Sequence, residues 1–517
     1  VNNSGGADAT EKITIGTDGI GNANEIGTIS LTAADGITIQ GDIATSDAAV
    51  YDLTFTGPVL IEGTVTIDTD DTDGDFDGAI NFTSTIDSGE STGNLTILAG
   101  DTDGEGGLTM SGTIGGTTAL GSLNINATDG DLALTIPQIG DGEGLKGAAA
   151  TAIGNAASGK ITLSGTGVDV EYNFTDNVIF KSGTGVEFSG TDPTMDLDGE
   201  GKTLDFETGI TLLDAADLAL TTDDGAITLS TIAGTAGGGK TTTIDINSGS
   251  ANTTLGGALS TDLGAVTITS TGTIIIADDI TTAAGNVDIN GAVELKTNHI
   301  DIATSNGSVD FSSTINNTSG ETNNLTITSG SGAVGLGSTT THIGTTTALG
   351  NLSINAEAGT GNITLRGNIG TSSAAGAATV TIGGTSTGVL DFDGTAYNTG
   401  AATYTGEAFT LSGTDPNFIT DKLDITFADG ATSNIVLTGA SDLTIDTNAG
   451  EGEVGIGNIS ITPKILGTEG DGATTTVTLD AGTGNVTLSE EIGGTGTDDI
   501  GAVALTGTTI TLNDHIT

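Results

Sequence analysis

The segment "DTDDTDGDFDG" (Asp68 to Gly78) sets Asp73, Asp75 and Asp77 at alternate positions ahead of Gly78. Alternate carboxylates converge on one hard cation while the glycine permits the turn, which is how many calcium loops begin. The same form recurs as Asp101, Asp103 and Glu105 before Gly106, and as Asp196, Asp198 and Glu200 before Gly201. None of the three has the distal Glu that completes an EF-hand loop. Two readings stay open: calcium ligands, or hydrated acidic corners of an Asp- and Gly-rich chain. The residue matching Asp101 in the second half of the chain is Gly330, so calcium is expected to tune a fold that does not depend on it.

Other chemistry finds less support. Cutting an anionic polysaccharide calls for clustered positive charge, yet Arg366 is the only arginine and the lysines are scattered. With 67 Asp and Glu, chance carboxylate pairs are inevitable, and no tryptophan offers a sugar platform. His299, His342 and His515 stand far apart, outside metal-ligand spacing, and read as solvent-facing or corner residues. An enzyme is therefore not expected. The N-x-[ST] triplets at Asn173, Asn324, Asn351 and Asn362, among others, follow from threonine abundance.

Against those 67 acids stand 10 Lys and Arg, a net charge of −57 spread along the whole chain. Such a surface repels phosphate backbones and anionic lipid heads, so neither nucleic acid nor membrane insertion is expected. Cysteine is absent, which leaves no disulfide or thiolate metal site to hold the fold. The opening "VNNSGG", without Met or a signal-like segment, reads as a mature or excised piece of something longer.

The elements that must position these residues are short and repetitive. "IGTISLTAADGITIQGDIAT", "LGAVTITSTGTIIIADDITT" and "IGAVALTGTTITLNDHIT" begin at Ile26, Leu263 and Ile500, two equal steps of 237 residues. "TTALGSLNIN" (Thr117 to Asn126) returns as "TTALGNLSIN" (Thr346 to Asn355), and "SGTDP" occurs at Ser189 and Ser412. The implied organisation is 1–25 as the end of a preceding unit, 26–262 and 263–499 as two long units, and 500–517 as the opening of a third.

Inside the units, phrases such as "GNLTI", "GSLNI" and "GNVTL" alternate apolar and polar residues behind a glycine, the mark of strands with one buried face. Leu123 and Ile125 are expected to face inward. The Ala-rich "GAAATAIGNAASG" (Gly147 to Gly159) reads as a surface loop. There are only 12 Phe and 4 Tyr, so a thin aliphatic core fits better than a wide aromatic one, and Phe82 and Phe311 hold matched positions within it. The reading is all-β: a right-handed parallel β-helix (β-solenoid), built from two long tandem units, with roughly 20 to 25 residues per coil.

Phrases such as "GTIGGTTALGSLNI", "ATYTGEAFTLSGTDP" and "NFTSTI" resemble the β-strand repeats of very large bacterial surface proteins, the filamentous-haemagglutinin-like and giant adhesin class. The resemblance implies an extracellular, repetitive stalk or fibre and brings no catalytic residues with it. The expected role is a structural segment of an acidic fibre, surface layer or adhesin stalk at the cell surface. Its expected partners are further repeats, or copies of itself stacked end to end through segments near Asn2 to Ile20 and Ile500 to Thr517. The alternative is an adhesin module that recognises cell-surface glycans or a partner surface through corner loops, with Gly140 to Gly159 as the foremost patch.

Overall fold

The computed structural model describes residues 11–21, 26–45, 50–69, 78–89, 92–99, 107–127, 134–140, 147–156, 159–165, 170–190, 192–213, 217–235, 242–260, 262–356, 361–371, 374–384, 387–429, 433–438, 442–448, 456–467, 475–494 and 500–517. Among these residues there is no helix, and parallel strands stack into a β-solenoid of about 16 turns. The chain divides into two compact units. Val1–Leu263 with Thr269–Gly272 form the first, and Gly264–Ile268 with Thr273–Thr517 form the second.

In the first unit, nine parallel strands run side by side from Ile29–Thr32 to Ile232–Gly234. In the second, ten run from Ile280–Thr282 to Thr509–Leu512. Register sets like upon like: Leu53 pairs with Ile80 and Phe55 with Phe82, and Leu325 pairs with Leu352 and Ile327 with Ile354. The alternation seen in the sequence is the reason. Strand Asn94–Ala99 has every second residue buried, and Leu123 and Ile125 lie in the core as expected. Each fully buried Ile, Leu or Val in such a ladder contributes roughly 1.5 to 3 kcal/mol.

Phe82 and Phe311 are also buried. The few aromatics form columns of their own, with ring centroids 4.7 Å apart for Phe55 and Phe82 and 4.8 Å for Phe180 and Phe206. Those distances match the spacing of hydrogen-bonded strands, about 4.7–4.9 Å. In the second unit Phe392, Tyr397, Tyr404, Phe418 and Phe427 meet in one cluster, so the core there is locally aromatic rather than thinly aliphatic.

Outward positions are polar. In the second unit each rung from Thr326 to Thr511 presents a hydroxyl at the same place, through Ser353, Thr381, Thr403, Thr426, Ser460 and Thr487. Stacked like charges directly opposite one another are destabilising, whereas threonine suits an exposed strand face.

Two expectations change. Partners on successive rungs are 19 to 34 residues apart, a wider spread than 20 to 25, because the corners hold differing numbers of residues. The Ala-rich stretch is no surface loop: Ala148–Ile153 is a strand, with Leu120 paired to Ala148 and Ile125 to Ile153. The preceding rung templates it, and Ala148 and Ile153 fill the core.

The duplicated decapeptide leads from a corner into a strand, Leu120–Ala127 in the first unit and Leu349–Asn355 in the second. Asp87 Oδ1 accepts hydrogen bonds from the amides of Thr117 (2.7 Å) and Thr118 (3.2 Å). In the second unit Asn316 Oδ1 accepts from Thr346 (3.0 Å) and Thr347 (3.4 Å). Gly115 and Gly344 precede these threonines at φ 64° and 66°. A Cβ there would strike the carbonyls of Gly147 and Gly376. Leu120 and Leu349 then enter the core, each donating its amide at 2.8 Å to the same carbonyls. "SGTDP" likewise marks a bend, with Asp192 and Asp415 at φ 51° and 48°, a left-handed conformation that Asp tolerates better than most residues.

Asp87→Ala leaves two amides without their shared acceptor and lowers urea stability by about 1–3 kcal/mol, whereas Asp87→Asn, which keeps the acceptor, costs less than about 1 kcal/mol. Leu123→Ala and Leu352→Ala, which open cavities in the ladders, each cost about 2–5 kcal/mol in the same measurement. Equal effects of the two Asp87 substitutions would remove the bracket from the account.

Candidate functional site

Of the acidic residues singled out in the sequence, Asp73, Asp75, Asp77, Asp101, Asp103 and Glu105 lie outside the described residues. Asp196, Asp198 and Glu200 are described. Strand Thr194–Leu197 turns Met195 and Leu197 inward, so Asp196 and Asp198 share its outer face. The backbone register extends this face over neighbouring rungs. Glu171 stands opposite Thr194, Asn173 opposite Asp196, and Asp196 opposite Thr221. The Asp223 amide donates to the Leu197 carbonyl, which brings Asp223 beside Asp198.

Burial raises the Asp196 carboxyl above its ordinary range, and the charges of Asp198, Glu171 and Asp223 push it further. Asp198 is raised by burial, then by Asp223 and Glu171. The fold therefore assembles an acidic patch across three rungs, Glu171, Asp196, Asp198 and Asp223, in place of the linear trio ending at Glu200. Glu200 is exposed and is not among the charges acting on either aspartate.

A second cluster escaped the sequence reading. Glu491, Asp514 and His515 are, among the described residues, the one group of three or more metal-ligand side chains whose donor atoms all lie within 4.8 Å of one another. His515 Nε2 lies 3.3 Å from Glu491 and its Nδ1 faces Asp514, while Lys464 Nζ sits 2.7 Å from Glu491. Asp514, and then Glu491, raise His515 toward its cationic form. Lys464 and His515 thus face two carboxylates in one ion-pair cluster. The signal was present in the sequence: the 24-residue step that sets Val486 under Ile510 also sets Glu491 under His515.

Much of the remaining acidity holds rungs together. Asp42 accepts the amide of Thr66 at 2.7 Å, Asp52 that of Ala79 at 3.0 Å, Asp217 that of Thr243 at 2.6 Å and Asp442 that of Thr476 at 2.7 Å. Asn324 and Asn362 do the same for Asn351 and Val389, and His342 Nδ1 accepts from the Asn368 amide. These asparagines open N-x-[ST] triplets, and their side chains are engaged in stacking; Asn173 in another such triplet is buried.

The basic side chains are spent in the same way. Lys160, Lys181, Lys202 and Arg366 pair with Glu187, Glu207, Asp176 and Asp310 on other rungs at 2.6 to 2.8 Å. A groove of about 390 Å³ opens at a corner of the first unit between Thr85, Ser111, Thr113, Pro137 and Gln138. No titratable group lines it. No protein-family profile, curated protein or solved structure matches the chain.

A carboxyl raised by folding costs stability when charged. The cost is absent below the unfolded value near 3.9 and complete above the folded value. In chelator at neutral pH, Asp196→Asn therefore raises the urea midpoint of the first unit. The gain is below about 1 kcal/mol, since half-exposed charges are screened, and it shrinks as pH falls toward about 4. For His515 the sign is opposite: its contribution is complete below the unfolded value near 6.5 and disappears as pH rises through the raised folded value. Amide exchange over residues 509–517 accordingly quickens beyond its intrinsic rate as pH rises from about 6.5 through the raised folded value, and His515→Gln abolishes that excess.

Proposed function

We propose that this chain is a structural segment of an extracellular bacterial fibre, surface layer or adhesin stalk, and that it lengthens by end-to-end stacking. The observation that carries this reading is the apolar ladder of the second unit, which continues into its last described rung. Val486, Leu488 and Ile492 are buried beneath Ile510, Leu512 and Ile516, which are 42%, 43% and 42% exposed. Strand Thr509–Leu512 thus presents an apolar row of the kind that a further rung covers, whether that rung belongs to the same polypeptide or to another copy. Such a contact joins unlike faces and is free to propagate.

Three properties support the same role. The stacking needs no disulfide, since the chain has no cysteine. The hydroxyl and carboxylate surface keeps a long assembly soluble. The resemblance of its strand phrases to giant surface proteins supports an extracellular location.

Sedimentation velocity and electron microscopy on the intact chain test the stacking. Wild type is expected to form unbranched end-to-end assemblies that grow with concentration. Ile510→Asp with Leu512→Asp is expected to remain monomeric with unchanged circular dichroism. A wild type that stays monomeric throughout, or a double variant that assembles as readily, rules the stacking out.

A further inference from the structure

We propose that Glu491 and His515 ligate one divalent cation of the zinc class at a corner of the second unit, with Asp514 orienting the imidazole. A single chain carries all three groups, so the site stands or falls independently of end-to-end stacking.

The first observation is geometric. One donor atom from each of Glu491, Asp514 and His515 lies within 4.8 Å of the others. His515 Nε2 and Glu491 Oε2 are 3.3 Å apart, beyond the roughly 2.7–2.9 Å of a charge-assisted hydrogen bond. Two ligands of a tetrahedral zinc ion, each about 2.0–2.1 Å from the metal, stand about 3.3–3.4 Å apart. The pair is thus spaced for an ion to bridge it.

The groups around the pair leave those two atoms facing each other. Lys464 Nζ takes the other glutamate oxygen, Oε1, at 2.7 Å, which turns Oε2 toward the imidazole. Asp514 Oδ1 accepts the His515 amide at 2.9 Å and also meets Nδ1. A carboxylate on one ring nitrogen fixes the tautomer that presents the other to a metal, the usual arrangement around metal-bound histidine.

The second observation comes from the same corner elsewhere in the chain. Ile492 bridges Ile516 as Ile20 bridges Ile43, and the Ile492 amide donates to the His515 carbonyl as the Ile20 amide donates to that of Asp42. In that earlier corner the places of Glu491, Asp514 and His515 are held by Gly19, Gly41 and Asp42. Stacking these rungs therefore requires none of the three side chains, and all three differ together where they meet.

The donor set selects the class of ion. An imidazole nitrogen with a carboxylate oxygen suits zinc, whereas calcium and magnesium take oxygen ligands. Water completes the coordination, since the imidazole is well exposed.

Calorimetric titration of the intact chain with zinc chloride, in buffer holding magnesium in excess to occupy all-carboxylate sites, tests the assignment. Wild type is expected to take up one zinc per chain. Glu491→Gln and, separately, His515→Gln are expected to weaken uptake at least tenfold with unchanged circular dichroism. Asp514→Ala is expected to weaken it about tenfold, and Asp514→Asn, which still accepts from Nδ1, to restore most of the affinity. His299, whose Nε2 lies 2.8 Å from Asp301 without a further ligand, is the internal control, and His299→Gln is expected to bind as wild type does. If one ligand variant does not fold, the other decides. No uptake above the magnesium background, full uptake in a folded Glu491→Gln or His515→Gln chain, or an equal loss in His299→Gln overturns the site.

Discussion

Every residue of a parallel in-register stack sits on the residue one turn before it, and the rest of the structure follows from that constraint. A buried column accepts side chains that pack on their own kind at about 4.8 Å: aliphatics such as Leu325 and Leu352, or rings such as Phe55 and Phe82. An outward column favours uncharged side chains, as in the hydroxyls from Thr326 to Thr511, although Asp288 stacks on Asp310 and Asp446 on Asp480. At corners the strand ladder is interrupted, so backbone amides need acceptors from elsewhere. Asp87, Asn316 and their equivalents supply them from the adjoining rung.

This assigns the acidity two distinct roles. At corners such as Asp42, Asp217 and Asp442, a carboxylate is a hydrogen-bond acceptor one turn away from its donor. Asparagine serves equally there, which is why the duplicated units exchange Asp87 for Asn316. On the outer face around Asp196, by contrast, Asp196 and Asp198 feel the repulsion of acidic neighbours on their own and adjoining rungs. A fold that spends its lysines on carboxylates of other rungs, as at Lys160 and Lys464, leaves the patch uncompensated. Surface pairs of this kind contribute little each, so the ladders carry the stability and the pairs settle local charge.

Legibility differed between backbone and site. Strands, inward residues and the recurrence of corners could be read because alternation and duplication are written in consecutive residues. The Ala-rich strand Ala148–Ile153 was misread because alanine carries little strand signal; its conformation comes from Leu120 to Ile125 beside it. The acidic site was half legible. Asp196 and Asp198 stand two apart in one strand and announce themselves, whereas Glu171, Asn173 and Asp223 join them only through register. Glu491 and His515 meet for the same reason.

By itself, then, the sequence determined the all-β character, the apolar ladders, the long repeat and the excess of negative charge, since each depends on residue type and short-range order. Only the tertiary structure decided which polar groups meet. The number of residues in a turn varies from 19 to 34, and a single inserted residue at a corner changes which side chain lies above which. Contacts between rungs are therefore set by strand pairing, which no local pattern of residues specifies.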